Sequence, residues 1–296
     1  MSWHGSKRKK CCRRSPLDNS ATWYVGGCWV HPHEATLSIN DIAVLRGYSV
    51  FESLRTYDRR PFHLDEHLKR LYQSAVLIGL EIPWSSRFIA DIIRETIARN
   101  TYKHASIRLL LTGGESEDGI TPSGKPVLLV MITPLGERDM QRFARGIKLI
   151  ITRLQREAPE AKTTNYMAAV QALKEAANRG AADALFVNEQ GHVQEATRSN
   201  FFIFRGDILV TPRDGVLHGI TRNVVLQLAQ GRFAVEERPI LLEELLLADE
   251  AFITSSSKEI TPVVQIDDLV IGSGKPGPRT TELEQRFIEM IEQGDF

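Results

Sequence analysis

Three stretches of this 296-residue chain carry residue types that could act together on one small molecule. Lys162, in Glu160-Ala161-Lys162-Thr163-Thr164-Asn165-Tyr166, offers an amine. Glu195, in Val193-Gln194-Glu195-Ala196-Thr197, offers a carboxylate, and Gly219-Ile220-Thr221-Arg222 opens a helix. An amine can carry an aldehyde, an inward carboxylate can keep an aromatic ring nitrogen protonated, and free N–H groups at a helix entrance can hold a phosphate. Pyridoxal 5′-phosphate (PLP) has all three needs, and the order and spacing of these residues predict a site for it.

Each feature is weak when taken alone. A glycine ahead of a Thr-capped helix is a common helix start, and a lysine ahead of a helix is ordinarily solvated. To react, Lys162 needs a partly neutral amine, which burial and neighbouring cations provide. Glu195 alternates with Val193 and Thr197 on a strand flanked by apolar segments, which predicts an inward side chain in need of a cationic partner. Arg70 lies beside the apolar stripe of its helix, where its guanidinium fork suits a phosphate and an ion pair with Glu66 is the structural alternative. Ser255-Ser256-Ser257 offers a further set of hydroxyl and amide donors.

These residues need elements to hold them. Leu64, Leu68, Leu71, Ala75 and Ile78 recur at helical spacing, and a second helix runs from a Ser85-Ser86 cap through Ile89, Ile92, Ile93 and Ile97. Strand patterns fall around residues 23–30, 50–57, 107–112 and 127–133. A second unit begins at Ile147. It reads as hairpins at 184–197 and 200–211, with helices at 166–179, closed by Gly180, at 221–230, closed by Gly231, and at 281–292. The fold class expected is α+β. The divisions are a basic, flexible segment 1–20, a small α+β domain 21–134, a linker 135–141 and a larger PLP-binding domain 142–296.

With 42% hydrophobic and 25% charged residues the composition is that of a globular protein. Six basic residues against Asp18 fall in the first twenty positions, leaving 31 basic and 36 acidic residues on the remainder. No apolar run reaches the roughly 18 residues that span a bilayer, and no apolar stretch follows the basic start as a secretory signal requires. A cytoplasmic location is expected, with no membrane and no nucleic acid as partner. Cys11, Cys12 and Cys28 are too few and too bunched for a disulfide framework, and neither they nor His31 and His33 have zinc spacing, so no metal is expected.

Taken in order, these segments resemble the fold type IV PLP-dependent aminotransferases, a group that includes branched-chain and D-amino acid aminotransferases and aminodeoxychorismate lyase. The resemblance covers about residues 23–292. It rests on Phe51-Glu52-Ser53-Leu54-Arg55-Thr56-Tyr57, Glu66-His67-Leu68-Lys69-Arg70-Leu71, Lys162-Thr163-Thr164-Asn165-Tyr166 and Glu195-Ala196-Thr197-Arg198-Ser199-Asn200-Phe201-Phe202. It continues through Leu217-His218-Gly219-Ile220-Thr221-Arg222, Ala248-Asp249-Glu250-Ala251-Phe252 and Glu259-Ile260-Thr261-Pro262. It implies a smaller N-terminal α/β domain, a larger C-terminal pseudo-barrel domain, and a homodimer or larger homo-oligomer. Lys162 matches the lysine that bonds the cofactor and moves the substrate proton. Glu195 matches the partner of the ring nitrogen, and Tyr166 the tyrosine against the phenolic oxygen. Arg70, Ile220, Thr221 and Ser256 match the phosphate ligands.

The substrate side departs from the pattern. Where branched-chain enzymes show Tyr-x-Arg, this chain has Ser106-Ile107-Arg108, and a tyrosine contributed ahead of their Phe-Glu-Gly run corresponds to Arg46. The Arg-x-His carboxylate trap of the D-amino acid enzymes is absent near Asp118-Gly119-Ile120. The expected reaction is transamination between a branched-chain or other hydrophobic L-amino acid and 2-oxoglutarate, with Arg108, Arg46, Arg55 and Ser257 as substrate-binding candidates. The alternatives are a D-amino acid or (R)-amine aminotransferase, then aminodeoxychorismate lyase. From another class, a binding protein working through the basic start is the remaining one.

Overall fold

Alternation along residues 49–57 turns Val50, Glu52 and Leu54 to one side of the strand, where all three are buried, and leaves Phe51 and Ser53 on the other. In the computed structural model, which describes residues 20–136, 140–154 and 156–296, this strand is paired within a six-stranded sheet. Its members are β1 (Trp23–Val25), β2 (Cys28–Val30), β3 (Ser49–Tyr57), β4 (Arg60–Pro61), β5 (Ala105–Thr112) and β6 (Leu128–Pro134), in the order β2-β1-β6-β5-β3-β4. The short helix α1 (Ile42–Arg46) precedes β3, and α2 (Leu64–Leu77) and α3 (Ser86–Ala98) fall between β4 and β5. The basic segment, apart from Ser20, lies outside the described residues, as do Cys11 and Cys12.

Helix α2 forms as its periodicity predicts, with Leu64, Leu68, Leu71 and Ala75 packed into the core that also takes Val50, Leu54, Ile107 and Leu109 from the sheet. Asp65 and Glu66 in its first turn complement the helix dipole. Ser85 caps α3, its Oγ accepting from Phe88 N–H at 3.2 Å. Three polar residues of α2, His67, Arg70 and Ser74, are buried along with the apolar stripe.

The second sheet collects β7 (Ile147–Thr152), β8 (Asp183–Val187), β9 (His192–Ala196), β10 (Asn200–Arg205), β11 (Ile208–Thr211), β12 (Ala234–Glu237), β13 (Ile240–Leu241), β14 (Glu250–Ser255), β15 (Glu259–Ile266) and β16 (Leu269–Val270). Its order is β12-β11-β10-β14-β15-β7-β8-β9-β13, with β16 on β15. Strand β7 lies parallel to both β8 and β15, an arrangement that needs the crossover helix α5 (Met167–Asn178) between β7 and β8. Two further helices, α6 (Ile220–Ala229) and α7 (Pro278–Gln293), contribute Val224, Val225, Leu283 and Phe287 to a cluster that Tyr57 and Phe62 of the first unit complete. The molecule is thus a two-domain α+β protein, as expected.

Part of the span expected as a linker is helical. A short helix, α4 (Met140–Arg145), begins inside it, and residues 137–139 lie outside the described ones. Six residues are too few for a helical period to stand out in sequence.

Candidate active site

Lys162 lies in the segment between β7 and α5, yet its backbone is held by the first unit. Its carbonyl accepts from Phe51 N–H at 2.9 Å, and its N–H donates to Ser74 Oγ at 3.1 Å. Two residues on, Thr164 N–H donates to the Ser49 carbonyl at 3.2 Å, and the hydroxyls of Ser49 and Thr164 meet at 2.5 Å. The lysine amine stands 4.8 Å from the centre of the Phe51 ring. Burial pulls its pKa down and the Arg70 charge adds to this. Glu52 opposes, Arg156 lowers it again and Glu195 opposes last, leaving it at about 8. A lysine in that range supplies neutral amine near neutral pH.

Arg70 is not paired with Glu66, which lies 3.4 Å from His63 on the exposed side of α2. Its partner is Glu52, fully buried at the middle of β3. Arg70 Nε donates to Glu52 Oε1 at 2.8 Å and Nη2 to Oε2 at 2.7 Å, while Nη1 donates to the His218 carbonyl at 3.1 Å. His67 Nδ1 is 2.7 Å from Glu52 Oε2. An ionised carboxylate only accepts, so Nδ1 carries the proton. Burial pushes the Glu52 carboxyl up, but the Arg70 charge and the hydrogen bonds from Arg70 and His67 outweigh it and hold the group well below the usual carboxylate range. Burial also lowers the pKa of His67.

Glu195 is buried on β9, as its alternation predicts. Arg156 Nη1 donates to its Oε1, and Asn200 Nδ2 and Leu217 N–H donate to Oε2 at 3.3 and 3.2 Å. Arg156 Nη2 donates to the Ala161 carbonyl at 3.0 Å, so one guanidinium ties the acid to the residue before Lys162. Burial pushes the Glu195 carboxyl up, and Arg156, the Leu217 N–H and the Lys162 charge act against that rise.

The anion end is built by α6. Its N-cap, Gly219, makes no side-chain cap, so the first N–H groups of the helix face the pocket without a partner from the cap. A Cβ on Gly219 would stand 2.0 Å from Asn200 Oδ1, so any larger residue there displaces the Asn200 amide. The hydroxyls of Ser199 and Thr254 are buried without a hydrogen-bond partner among the described residues, and both residues line the same pocket. Buried polar groups are seldom left unsatisfied, and these donors together with the open helix end fit a phosphate. Amine, acid and anion cradle around one pocket are the set that PLP requires.

Of the residues expected from sequence, Arg70, Lys162, Tyr166, Glu195, Ile220, Thr221 and Ser256 line this pocket. Tyr166 sits edge-on to Phe51, ring centres 5.6 Å apart, and burial raises its pKa. The substrate candidates lie elsewhere. Arg55 is spent on a buried ion pair with Glu259 at 2.6 Å and stacks on Tyr57, because alternation from Glu52 places it deeper in the contact between the units. Arg46 is exposed at the end of α1, donating to the Leu45 carbonyl at 2.8 Å. Ser257 is exposed and outside the lining. Arg108 is exposed on β5 opposite Ser53, close enough for its charge to act on Tyr166. Four further residues belong to the site by their contacts or lining and not by any expectation from sequence: Glu52, Arg156, Arg198 and Asn200. Glu52 and Asn200 stood inside motifs whose neighbours drew the roles, whereas a lone arginine such as Arg156 carries no signal of its own.

Residues 49–266 match the family model described as amino-transferase class IV. The branched-chain-amino-acid aminotransferase of Pseudomonas aeruginosa is 31% identical over 286 residues, covering 91% of this chain and 92% of that protein. The D-alanine aminotransferase of a Listeria monocytogenes serotype 4b strain is 32% identical over 272 residues, covering 89% and 94%. Among solved structures, the T.th. branched-chain amino acid aminotransferase with pyridoxamine 5′-phosphate superposes with a TM-score of 0.88 at 30% identity, over 93% of this chain and 95% of that one. With the pocket chemistry and these likenesses in agreement, the chain belongs to the class IV aminotransferases, enzymes dependent on PLP.

Proposed function

We propose that the enzyme exchanges an amino group between a branched-chain or other hydrophobic L-amino acid and 2-oxoglutarate. The observation that carries this is the buried Lys162 amine, lowered to about 8, in the same pocket as the buried acid Glu195 and the open end of α6. Bound PLP supplies a ring that takes up the electron pair released when the substrate Cα loses its proton. Lys162 accepts that proton as neutral amine and returns it on the way to product. Glu195, oriented by Arg156, Asn200 and Leu217 N–H, would hold a proton on the ring nitrogen. Arg70, the N–H groups of Ile220 and Thr221, and Ser256 line the same pocket and would hold the phosphate, and Tyr166 would meet the phenolic oxygen.

Tyr166 lines the pocket with the Phe51 ring edge-on against it, an aromatic surface suited to an aliphatic side chain. Arg108 and Arg198, both exposed near Tyr166, are the cations best placed to meet substrate carboxylates. The relatives at comparable identity include D-alanine aminotransferases, which keeps the opposite enantiomer as the second reading. Single-turnover mixing of the PLP form with L-leucine and with D-leucine decides between them. Conversion to the pyridoxamine form by L-leucine alone is expected, and conversion by D-leucine alone overturns the L-amino acid reading.

A homodimer belongs to the same proposal, supported by large apolar side chains left exposed at Ile39, Val44, Leu45, Met167 and Val170. Sedimentation velocity checks it. Cytoplasmic residence completes the proposal; no helix among the described residues is long and apolar enough to cross a membrane.

A further inference from the structure

His67, Arg70 and Ser74 recur at three and four residues on α2 and so share one buried face. Together they engage Glu52, the His218 carbonyl and the Lys162 backbone. His67 and Arg70 hold Glu52, Arg70 also reaches the His218 carbonyl beside Gly219, and Ser74 Oγ accepts the N–H of Lys162. Lys162 is therefore gripped on both sides by the first unit: its carbonyl by Phe51 N–H on β3 and its N–H by Ser74 on α2. Arg70 and Ser74 stand one helical turn apart, about 6 Å along α2. Ser74 thus anchors the backbone of the residue that carries the amine, and Arg70, one turn away on the same helix, lines the pocket that the amine shares.

We propose that Ser74 is a positioning residue that fixes the amine of Lys162 relative to the phosphate-binding end of the pocket, with α2 as the rigid spacer between them. Ser74 is fully buried and touches neither aldehyde nor phosphate in this role; it acts through the lysine backbone. Without its oxygen, the Lys162 N–H is left buried and unpaired, and the segment can shift to find water. The amine then moves away from the aldehyde while Arg70, Ile220 and Thr221 keep their places. The loss falls on the form of the cofactor that must bond to Lys162.

This rests on the PLP reading above and is tested with the full chain stripped of cofactor. It is titrated separately with pyridoxal 5′-phosphate, which bonds to the lysine, and with pyridoxamine 5′-phosphate, which does not. Ser74→Ala is expected to raise the Kd of the aldehyde form about tenfold, the scale of one unpaired buried N–H, while the Kd of the amine form stays within about twofold. Ser74→Cys, which keeps the volume and offers only a weak acceptor, is expected to show the same selectivity and guards against a folding defect in the alanine variant. If both forms weaken together, or if neither moves, Ser74 serves the fold or the phosphate and the proposal is overturned. A parent chain that binds neither form overturns the PLP reading itself, and this proposal with it. A parent that binds both, with a ratio unmoved by either substitution, overturns this proposal alone.

Discussion

Glu52 and Arg70 face each other through two parallel hydrogen bonds, Nε to Oε1 at 2.8 Å and Nη2 to Oε2 at 2.7 Å, with the carboxylate fully buried. Such a pair gains little over an apolar one, but removing a single partner strands the other charge. Glu52→Ala is expected to cost the cofactor-free protein about 3–5 kcal/mol in urea unfolding. The folded-state pKa of Glu52 is depressed, so its contribution is present above the ordinary carboxylate range and is lost as pH falls toward the depressed value. The difference between parent and Glu52→Ala is therefore expected to shrink progressively below about pH 4.5, the ordinary glutamate value. A difference that stays constant into strong acid would contradict this.

Lys162 shows linkage of the same sign from a different cause, since burying its charge is a cost rather than a gain. Its amine titrates at about 8 in the folded chain against 10.5 ordinarily, so between those values the unfolded chain binds more protons and stability rises with pH. Below pH 8 the buried charge is fully present and its cost is greatest. Lys162→Met is expected to be more stable than the parent without cofactor at about pH 7, with the gap closing as pH rises from 8 to 10.5. Parallel urea unfolding series on either side of and across that window check this, and a gap that widens with pH contradicts it.

Much of this site was legible in the sequence where one local rule sufficed. The 3–4 spacing from Leu64 to Ala75 predicted the helix that carries Arg70, alternation around Val193 and Thr197 predicted the inward Glu195, and Gly219 marked the α6 entrance. What stayed hidden were relations across the chain. Arg55 looked like a free cation on a strand, and only the docking of β15 against β3 brings it Glu259 from 204 positions away. Arg156 finds Glu195 because the segment after β7 folds back over β9, and no periodicity reports a fold-back. The helices Ile42–Arg46 and Met140–Arg145 are too short for a period, and the parallel neighbours of β7 come from crossover connections that strand patterns do not encode.

Arg156 joins Glu195 to the Ala161 carbonyl, so its loss affects the acid directly. Burial already raises the Glu195 carboxyl, and without the guanidinium the rise is unopposed by its strongest counter-charge. Arg156→Met is expected to protonate Glu195 at mildly acidic pH and to weaken PLP binding there about tenfold, with a smaller effect at alkaline pH where the acid ionises. PLP titrations of parent and variant at about pH 6 and about pH 9 measure it. Equal weakening at both values would mean that Arg156 acts by packing rather than by charge.

Gly219 tests how tightly the anion end is built. A methyl group there would stand 2.0 Å from Asn200 Oδ1 and 3.3 Å from Arg222 Cβ. The backbone at Gly219 has φ −68° and ψ 140°, which any residue adopts, so the cost of alanine is steric and not conformational. Asn200 would have to withdraw its amide, and with it the hydrogen bonds to the Leu217 carbonyl at 2.6 Å and to Glu195 at 3.3 Å. Gly219→Ala is expected to lower stability by about 1–3 kcal/mol in urea unfolding. It is also expected to weaken both PLP and pyridoxamine 5′-phosphate, because the phosphate site and the support of Glu195 loosen together. Substituting Asn200→Ala in the same chain makes room for the methyl group, so the double variant should recover part of the stability lost by Gly219→Ala alone, read as a non-additive double-mutant cycle. Strict additivity of the two losses would show that the clash is absorbed elsewhere.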